Sequence, residues 1–556
     1  MRKTFSKIFL FFILTSSSFA FGQRVYPLVP GISVDSVLSV RPGVTKMAFD
    51  PVSGHLFYLT VGGDICEVFI PVSGAATDTI RFTAADHGLT TVQGLCIRDS
   101  VMYVCGNNSI GASLVGKIVK GTLQPNGTRV WTDIVTTALY PASGTDHGFT
   151  DVSIDPQGNY LYVSSGARTH LGELRTNNNA WPGCREVPMT SRMMRFPANA
   201  TGIMLPNDST LLDNSGYVFA RGIRNAYDMA WDGNDTLFAI DNSGERDDPE
   251  ELNWMRKGKN YGFPWRMGSD YNPLMHSPYD VNQDLLVNHL SGGYINGWFA
   301  DDPTFPAIPP GTTFTDPVRN YGTAADFYRD SITGGVKHAS DYGSYITSFT
   351  PHRSPLGLVF DRDSMIAAPF RGDGFVLSFM PGGDSTGYTP LEPWGTPGPF
   401  VDPSRELIQM ELVYNAGIDN YTMTTRNIVT GFYLPVDAEL TGNVLYVIEN
   451  GGGDLWKITF PPYLSVPDYP SFPETAVYPN PAHDFVRFDF FCTAATHVKI
   501  TITDAQGKLV RIPVDQNVGG GNQEFNIDLS DLSTGIYFYS IESEGNFSNG
   551  KITKGL

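Results

Sequence analysis

A few side chains in this sequence are of types that do chemistry. His147 carries an imidazole, which titrates near neutrality and can take a proton from a hydroxyl. Arg224 and Arg371 carry planar guanidinium forks, which clamp carboxylates with paired donors. Asn225 sits beside Arg224, and the run ERDDPEE from Glu245 to Glu251 gathers five carboxylates. These groups lie 77 residues (147 to 224) and 147 residues (224 to 371) apart, so they converge only if the chain closes in a ring. Each also has a purely structural reading. His147 would be a satisfied loop histidine, Arg224 a tie between loops, Arg371 a solvated hairpin arginine, and the acidic run a solvated turn rather than a metal cage.

The elements that would position these groups form a repeat. An apolar alternation, a turn residue and a second Tyr-, Phe- or Val-rich strand recur six times, starting at Met47, Leu95, Val152, Met229, Leu358 and Ala438. The copies read MAFDPVSGHLFYLT, LCIRDSVMYVCGN, VSIDPQGNYLYVSSG, MAWDGNDTLFAIDN, LVFDRDSMIAAPF and AELTGNVLYVIEN. Each predicts a hairpin. Hairpins recurring at 48 residues or more imply propeller blades, so the expectation is a six-bladed β-propeller. The widest spacing, 129 residues, leaves an insertion at about 265–348 that is rich in Pro, Gly, Asp and Tyr. A long loop of that kind is expected to serve as a lid or binding element.

Composition agrees with an all-β chain. There are 58 Gly and 39 Pro among 556 residues, and only 17% are charged. The net charge of −19 argues against a nucleic-acid partner. At the N-terminus, Arg2, Lys3 and Lys7 precede the short apolar run Ile8–Leu14, with a small-residue cleavage site at Ser18-Phe19-Ala20. Residues 1–22 therefore read as a signal peptide, and the mature chain has no expected transmembrane segment. The five cysteines show no ligand spacing; Cys96 and Cys105 could pair, but buried thiols are the simpler expectation.

The composition shifts after Phe460. The Pro-rich stretch 461–474 reads as a linker between a body at 23–460 and a module at 475–556. The module's short alternating segments VRFDFF, HVKITITD, KLVRIPV, EFNIDL and GIYFYSIE predict a small antiparallel β-sandwich. Its motifs YPNPA, TDAQGKLV, DLSDLSTGIYFYSI and GKITK together resemble the type IX secretion (Por) C-terminal sorting domain. That resemblance implies export by the type IX machinery to the cell surface or beyond.

The body also carries a resemblance. ARGIRNAYDMAWDGNDTLFAIDNSGERDDPEELNWMRKGKNYGFPW, from Ala220 to Trp265, resembles the glucose/sorbosone dehydrogenase family, soluble quinoproteins that use pyrroloquinoline quinone (PQQ). TDHGFTDVSIDPQGNYLYVSSG and SPLGLVFDRDSMIAAPFRGDGFVLSF are similar to two further family segments. The resemblance implies His147 as general base and Arg224 as the arginine that stabilises reduced quinone. It implies Asn225 and Arg371 as cofactor contacts, and the carbonyls of Ser243 and Gly244 as ligands of a Ca²⁺ ion. The chain departs from the pattern in two places. No basic residue stands in Tyr433–Asp437, where the family's last blade grips PQQ. Ala167 replaces the acidic residue expected to orient His147, leaving Asp151 as the candidate partner. The functional expectation is a secreted PQQ- and Ca²⁺-dependent sugar dehydrogenase. The alternative is a non-catalytic surface propeller that binds glycan or protein, and a lactonase-like hydrolase is a third reading.

Overall fold

The computed structural model describes residues 24–142, 147–175, 181–380, 400, 405–463, 475–492, 494–543 and 546–555. The expected signal peptide, Asp146 and most of the 461–474 linker lie outside the described residues. The chain divides into two compact units, Met1–Tyr463 and Leu464–Leu556. Strands dominate both. Among the described residues the longest α-helix, Ser209–Asn214, has six residues.

In the first unit five of the six repeat copies fall on an antiparallel hairpin that opens a sheet, and the copy at Leu358–Phe370 supplies the end of a leading strand and the loop after it. The leading strands are Val44–Asp50, Thr91–Arg98, Phe149–Ile154, Ala226–Trp231, Pro355–Phe360 and Pro435–Thr441. Each packs against the next, and the last packs against the first, so these six strands form a closed ring. Closure is covalently economical: Ser33–Ser39, from the start of the chain, pairs with Asp454–Thr459 and completes the final sheet.

Packing explains why strand interiors read as almost continuously apolar. In His55–Thr60, Leu56 and Tyr58 join a core with Val436, Ile448 and Leu455 of the last sheet. Phe57 and Leu59 point the other way, into a core with Leu95, Met102 and Val104 of the next sheet. Period-2 alternation is thus present, but both faces are covered, as each sheet is stacked between two neighbours. Fully burying each such side chain contributes about 1.5–3 kcal/mol.

All six leading strands carry a register shift at the same place: 44/46, 92/94, 149/151, 226/228, 355/357 and 435/437. The residue just past each shift is Lys46, Gly94, Asp151, Asp228, Gly357 or Asp437. Glycine is required at position 94, where a Cβ would lie 2.5 Å from Cys105 Sγ and 2.8 Å from the Val152 amide nitrogen. The four charged residues meet. Lys46 Nζ donates to Asp228 and lies 3.4 Å from both Asp151 and Asp437, beside a cavity of about 330 Å³ enclosed by the leading strands.

The second unit has two antiparallel sheets. Ala476–Tyr478, Phe485–Cys492 and Gly521–Asp528 form one; Leu509–Val518, Thr496–Asp504, Gly535–Ser543 and Asn546–Lys554 form the other. Val486, Phe488 and Phe490 from the first share a core with Val498, Ile500, Ile502 and Ile541 from the second. All five cysteines are free thiols.

Candidate functional site

The site is built where leading strands begin. Arg224 and Asn225 directly precede Ala226–Trp231, and Asp241 closes its partner strand Leu237–Asp241. The Asp241 carboxylate accepts from the Arg224 amide at 2.8 Å and from the Asn225 amide, fixing this turn. From the other side the Asn260-Tyr261-Gly262 segment runs beside residues 221–222. Tyr261 donates its amide to Arg221 O at 2.9 Å and Phe263 donates to Gly222 O at 3.0 Å. The NYG motif therefore acts as a splint for the arginine turn.

His147 is held by backbone. Its amide donates to Ala167 O at 3.3 Å, while the Ala167 amide donates to Arg224 O at 2.6 Å. A Cβ on Gly166 would lie 2.5 Å from the His147 Cβ, so the bare glycine permits the approach. His147 Nε2 is buried and has no hydrogen-bond partner. Burial, and then the charge of Arg224, pushes this imidazole down to about 3, so it is neutral at ordinary pH.

Arg224 is itself buried, and burial pulls its guanidinium down against the attraction of Asp241, Glu250, Glu173 and Glu186. Nη1 donates to Asn242 O at 2.8 Å and Nε to His170 O at 3.1 Å; Nη2 lies 3.4 Å from His170 Nδ1. The His170 ring stacks on Trp298 of the 265–348 insertion, with centroids 4.3 Å apart. Leu171, next in sequence, packs with Leu274, Val287 and Phe299 of the same insertion. The insertion thus covers the chain that borders Arg224.

Ser243 and Gly244 follow Asn242 directly. The Ser243 amide donates to Glu250 at 2.6 Å, and a Cβ on Gly244 would lie 3.1 Å from His170 O. Ser243 Oγ and Asn225 Oδ1 are buried without hydrogen-bond partners. His147, Asn225, Ser243 and Gly244 therefore belong to the backbone segments that border Arg224.

Arg371 does not join them. Pro355–Phe360 pairs with Gly374–Ser378, not with the expected second strand at 364–370. Pro369 cannot donate to a ladder, and Asp361 knots the intervening loop by accepting from the amides of Met365, Ile366 and Gly372. Arg371 consequently sits at the far end of the hairpin. The six-residue strand puts it about 17 Å from the Ser354 end, at 3.3 Å per residue. There it is exposed, and its guanidinium lies over the Tyr463 ring at 3.6 Å.

Two more expectations change. Asp151 does not orient His147; it faces Lys46 in the ring of leading strands. The acidic run is neither a solvated turn nor a metal cage, for Asp247, Asp248, Glu250 and Glu251 are all at most 3% exposed. Asp247 pairs with Arg329 and His352, Asp248 with Arg246, and Glu251 accepts from the Gly268 amide. Among the described residues no group of three or more His, Cys, Asp or Glu side chains could hold a metal ion. Asp241, His170 and His352 escaped the sequence reading because nothing local marks them; their role arises from partners 16 or more residues away.

Residues 98–286 match the Glucose / Sorbosone dehydrogenase family, and residues 476–554 match the Secretion system C-terminal sorting domain. The first match contains His147, Arg224, Asn225, Ser243 and Gly244, and stops short of Arg371. Solved structures similar to the chain include the holo PQQ domain of pyranose dehydrogenase from Coprinopsis cinerea, at 13% identity over 78% of this chain and 97% of that one, TM-score 0.48. The apo soluble aldose sugar dehydrogenase of Escherichia coli is similar at 14% identity over 77% and 99%, TM-score 0.47. A calcium structure of a Trichoderma reesei carbohydrate-active enzyme is similar at 14% identity over 78% and 96%, TM-score 0.46. No curated protein matches the chain. Among the described residues no helix is long and apolar enough to cross a membrane.

Proposed function

We propose that this chain is an exported sugar oxidoreductase of the quinoprotein type, with its site at Arg224. The reading takes 23–460 as a six-bladed propeller, supported by six hairpin-led sheets whose leading strands close in a ring. It takes 475–556 as a sandwich-type sorting domain read by the type IX machinery, supported by the match over 476–554, after removal of a signal peptide at 1–22.

One observation carries the assignment of the site. His147 Nε2, Asn225 Oδ1 and Ser243 Oγ, on residues whose backbones border the Arg224 turn, are buried and lack partners. Leaving such atoms unsatisfied costs about 1–3 kcal/mol each, so the arrangement favours a polar ligand that completes them. Ser243 Oγ and the Arg224 fork could donate to the carbonyl oxygens of a flat quinone, while Asn225 Oδ1, which only accepts, would take a ring N–H or a hydroxyl. Arg224 and Asn225 would hold PQQ, and the carbonyls of Ser243 and Gly244, beside the Glu250 carboxylate, would hold Ca²⁺. When bound, PQQ supplies the two-electron acceptor and Ca²⁺ polarises it. The chain's own residues do the rest. Arg224 supplies fixed positive charge in a desolvated setting, Asp241 holds the arginine turn in place, and the Trp298–His170 stack excludes water from one side. His147 is neutral and offers a free ring nitrogen to a substrate hydroxyl.

The second reading, a surface propeller that binds glycan or protein without turnover, is favoured by the remote position of Arg371. Reconstitution with PQQ and Ca²⁺ separates the two. Dye reduction by an aldose, lost in Arg224→Ala, is the expected result. Sugar binding with no dye reduction at saturating PQQ would instead establish the binder.

A further inference from the structure

An oxidoreductase acting on a hydroxyl needs a group that keeps the proton, and His147 is poorly equipped for it. Among the described residues no carboxylate supports its ring, and protonating it beside buried Arg224 places two cations together. A better-equipped imidazole stands two residues before Ser354, whose side chain accepts from Asn242. His352 Nε2 lies 2.7 Å from Asp247 Oδ1. The other Asp247 oxygen accepts from Arg329 Nη1 at 3.0 Å, so the carboxylate is fixed and fully buried. With Nε2–H donated to Asp247, Nδ1 is left as the basic nitrogen. The His352 side chain keeps 29% exposure, which leaves it reachable.

The backbone is held for this purpose. His352 has φ 64° and Ser354 φ 49°, both left-handed and both non-glycine. Such residues cost about 1–2 kcal/mol each and persist where contacts over-determine them. Here the Ser354 amide donates to Glu250 Oε1 at 3.2 Å, while Ser354 Oγ accepts from Asn242 Nδ2 at 3.3 Å. Asn242 O in turn accepts from Arg224 Nη1, and Glu250 Oε2 accepts from the Ser243 amide. The same turn is thus gripped by Arg224 on one side and by the 352–354 segment on the other.

We infer that His352, oriented by Asp247, is the residue that takes the substrate's hydroxyl proton, with His147 a neutral hydrogen-bonding neighbour. This rests on the oxidoreductase reading. The hydroxyl proton goes to His352 Nδ1, the carbon-bound hydrogen leaves with its electron pair to the quinone acceptor, and the carbon–oxygen single bond becomes a carbonyl. The imidazolium is then paired with Asp247, and its proton passes to solvent from the exposed edge. The charged groups facing it are Asp247, Glu250 and Glu245, which hold the imidazole above its ordinary range against burial, together with Arg329 on Asp247 and Arg353, which is paired with Glu406.

The test has two arms on the full chain. By NMR on apoprotein, His352 should titrate above 6.5 and fall in Asp247→Asn, whereas a His352 that titrates below an ordinary histidine would overturn the dyad. With PQQ, Ca²⁺ and aldose, His352→Gln should lower kcat by about 10²- to 10⁴-fold with quinone binding and melting temperature unchanged. Asp247→Asn should move the acidic limb of the rate profile to lower pH. Wild-type turnover that survives His352→Gln but not His147→Gln sinks this assignment alone. A wild type that binds PQQ yet oxidises no aldose sinks the oxidoreductase reading, and this one with it.

Discussion

The guanidinium of Arg371 lies 3.6 Å from the centre of the Tyr463 ring, at the opposite end of its hairpin from Ser354. A cation over an exposed aromatic ring contributes about 0.5–1 kcal/mol. Arg371→Ala should therefore lower the melting temperature slightly and leave PQQ affinity unchanged. Arg224→Ala, which strands the carbonyls of Asn242 and His170, should abolish binding. Equilibrium titration of the two variants decides; weakened binding in Arg371→Ala would return that residue to the site.

Lys46 faces three buried carboxylates, Asp151, Asp228 and Asp437. Removing one partner of a buried charge cluster leaves uncompensated charge and costs about 3–5 kcal/mol. Lys46→Met should be among the most destabilising single changes in the first unit. Denaturant unfolding at neutral pH should show a lower midpoint with little change in slope.

Within that cluster Asp151 is the weakest member. Asp228 accepts from the amides of Met229 and Leu358, and Asp437 from Met47, but neither Asp151 oxygen has a hydrogen-bond partner. Burial pushes Asp151 up to about 7 despite Lys46. The folded state then holds its proton more tightly than the unfolded chain, so the wild type loses stability as pH rises from about 4 to about 7. Asp151→Asn should remove that loss. Its advantage over wild type should be absent near pH 4, grow across the window, and level off above it.

The repeat was legible because its signal is local: each hairpin carries its own alternation and its own turn residue, as in Met47–Thr60 or Ala438–Asn450. The nearness of His147 to Arg224 and Asn225 follows from the same repeat, since they stand just before the leading strands Phe149–Ile154 and Ala226–Trp231 and ring closure brings those starts together. Arg371 was misplaced because its position depends on register. Nothing within LVFDRDSMIAAPF says that Gly374–Ser378, rather than Ser364–Phe370, will pair with Pro355–Phe360. The acidic run was misread because its partners, Arg329 and His352, lie 82 and 105 residues away. A charged stretch looks solvated until the groups that bury it are known.

Ala167 stands beside His147 and offers its ring no hydrogen-bonding side chain. The family resemblance leads one to expect an acidic residue there to orient His147, whose amide donates to the Ala167 carbonyl. The Ala167 side chain is instead fully buried against Phe263 and Met267, with no donor from either. An aspartate at that position would carry its charge into an apolar pocket, at a cost of several kcal/mol, rather than reach the imidazole. Ala167→Asp should therefore destabilise the first unit without creating a stronger base. The pH dependence identifies the cause. A buried carboxylate has its folded pKa raised above the unfolded value of about 4, so the folded state binds the extra proton and stability falls as pH rises through that window. The deficit of Ala167→Asp in thermal melting should accordingly be largest at neutral pH and shrink towards pH 4. A deficit that instead grew in acid, with the His147 imidazole titrating near neutrality by NMR, would mean that the aspartate had found the histidine after all.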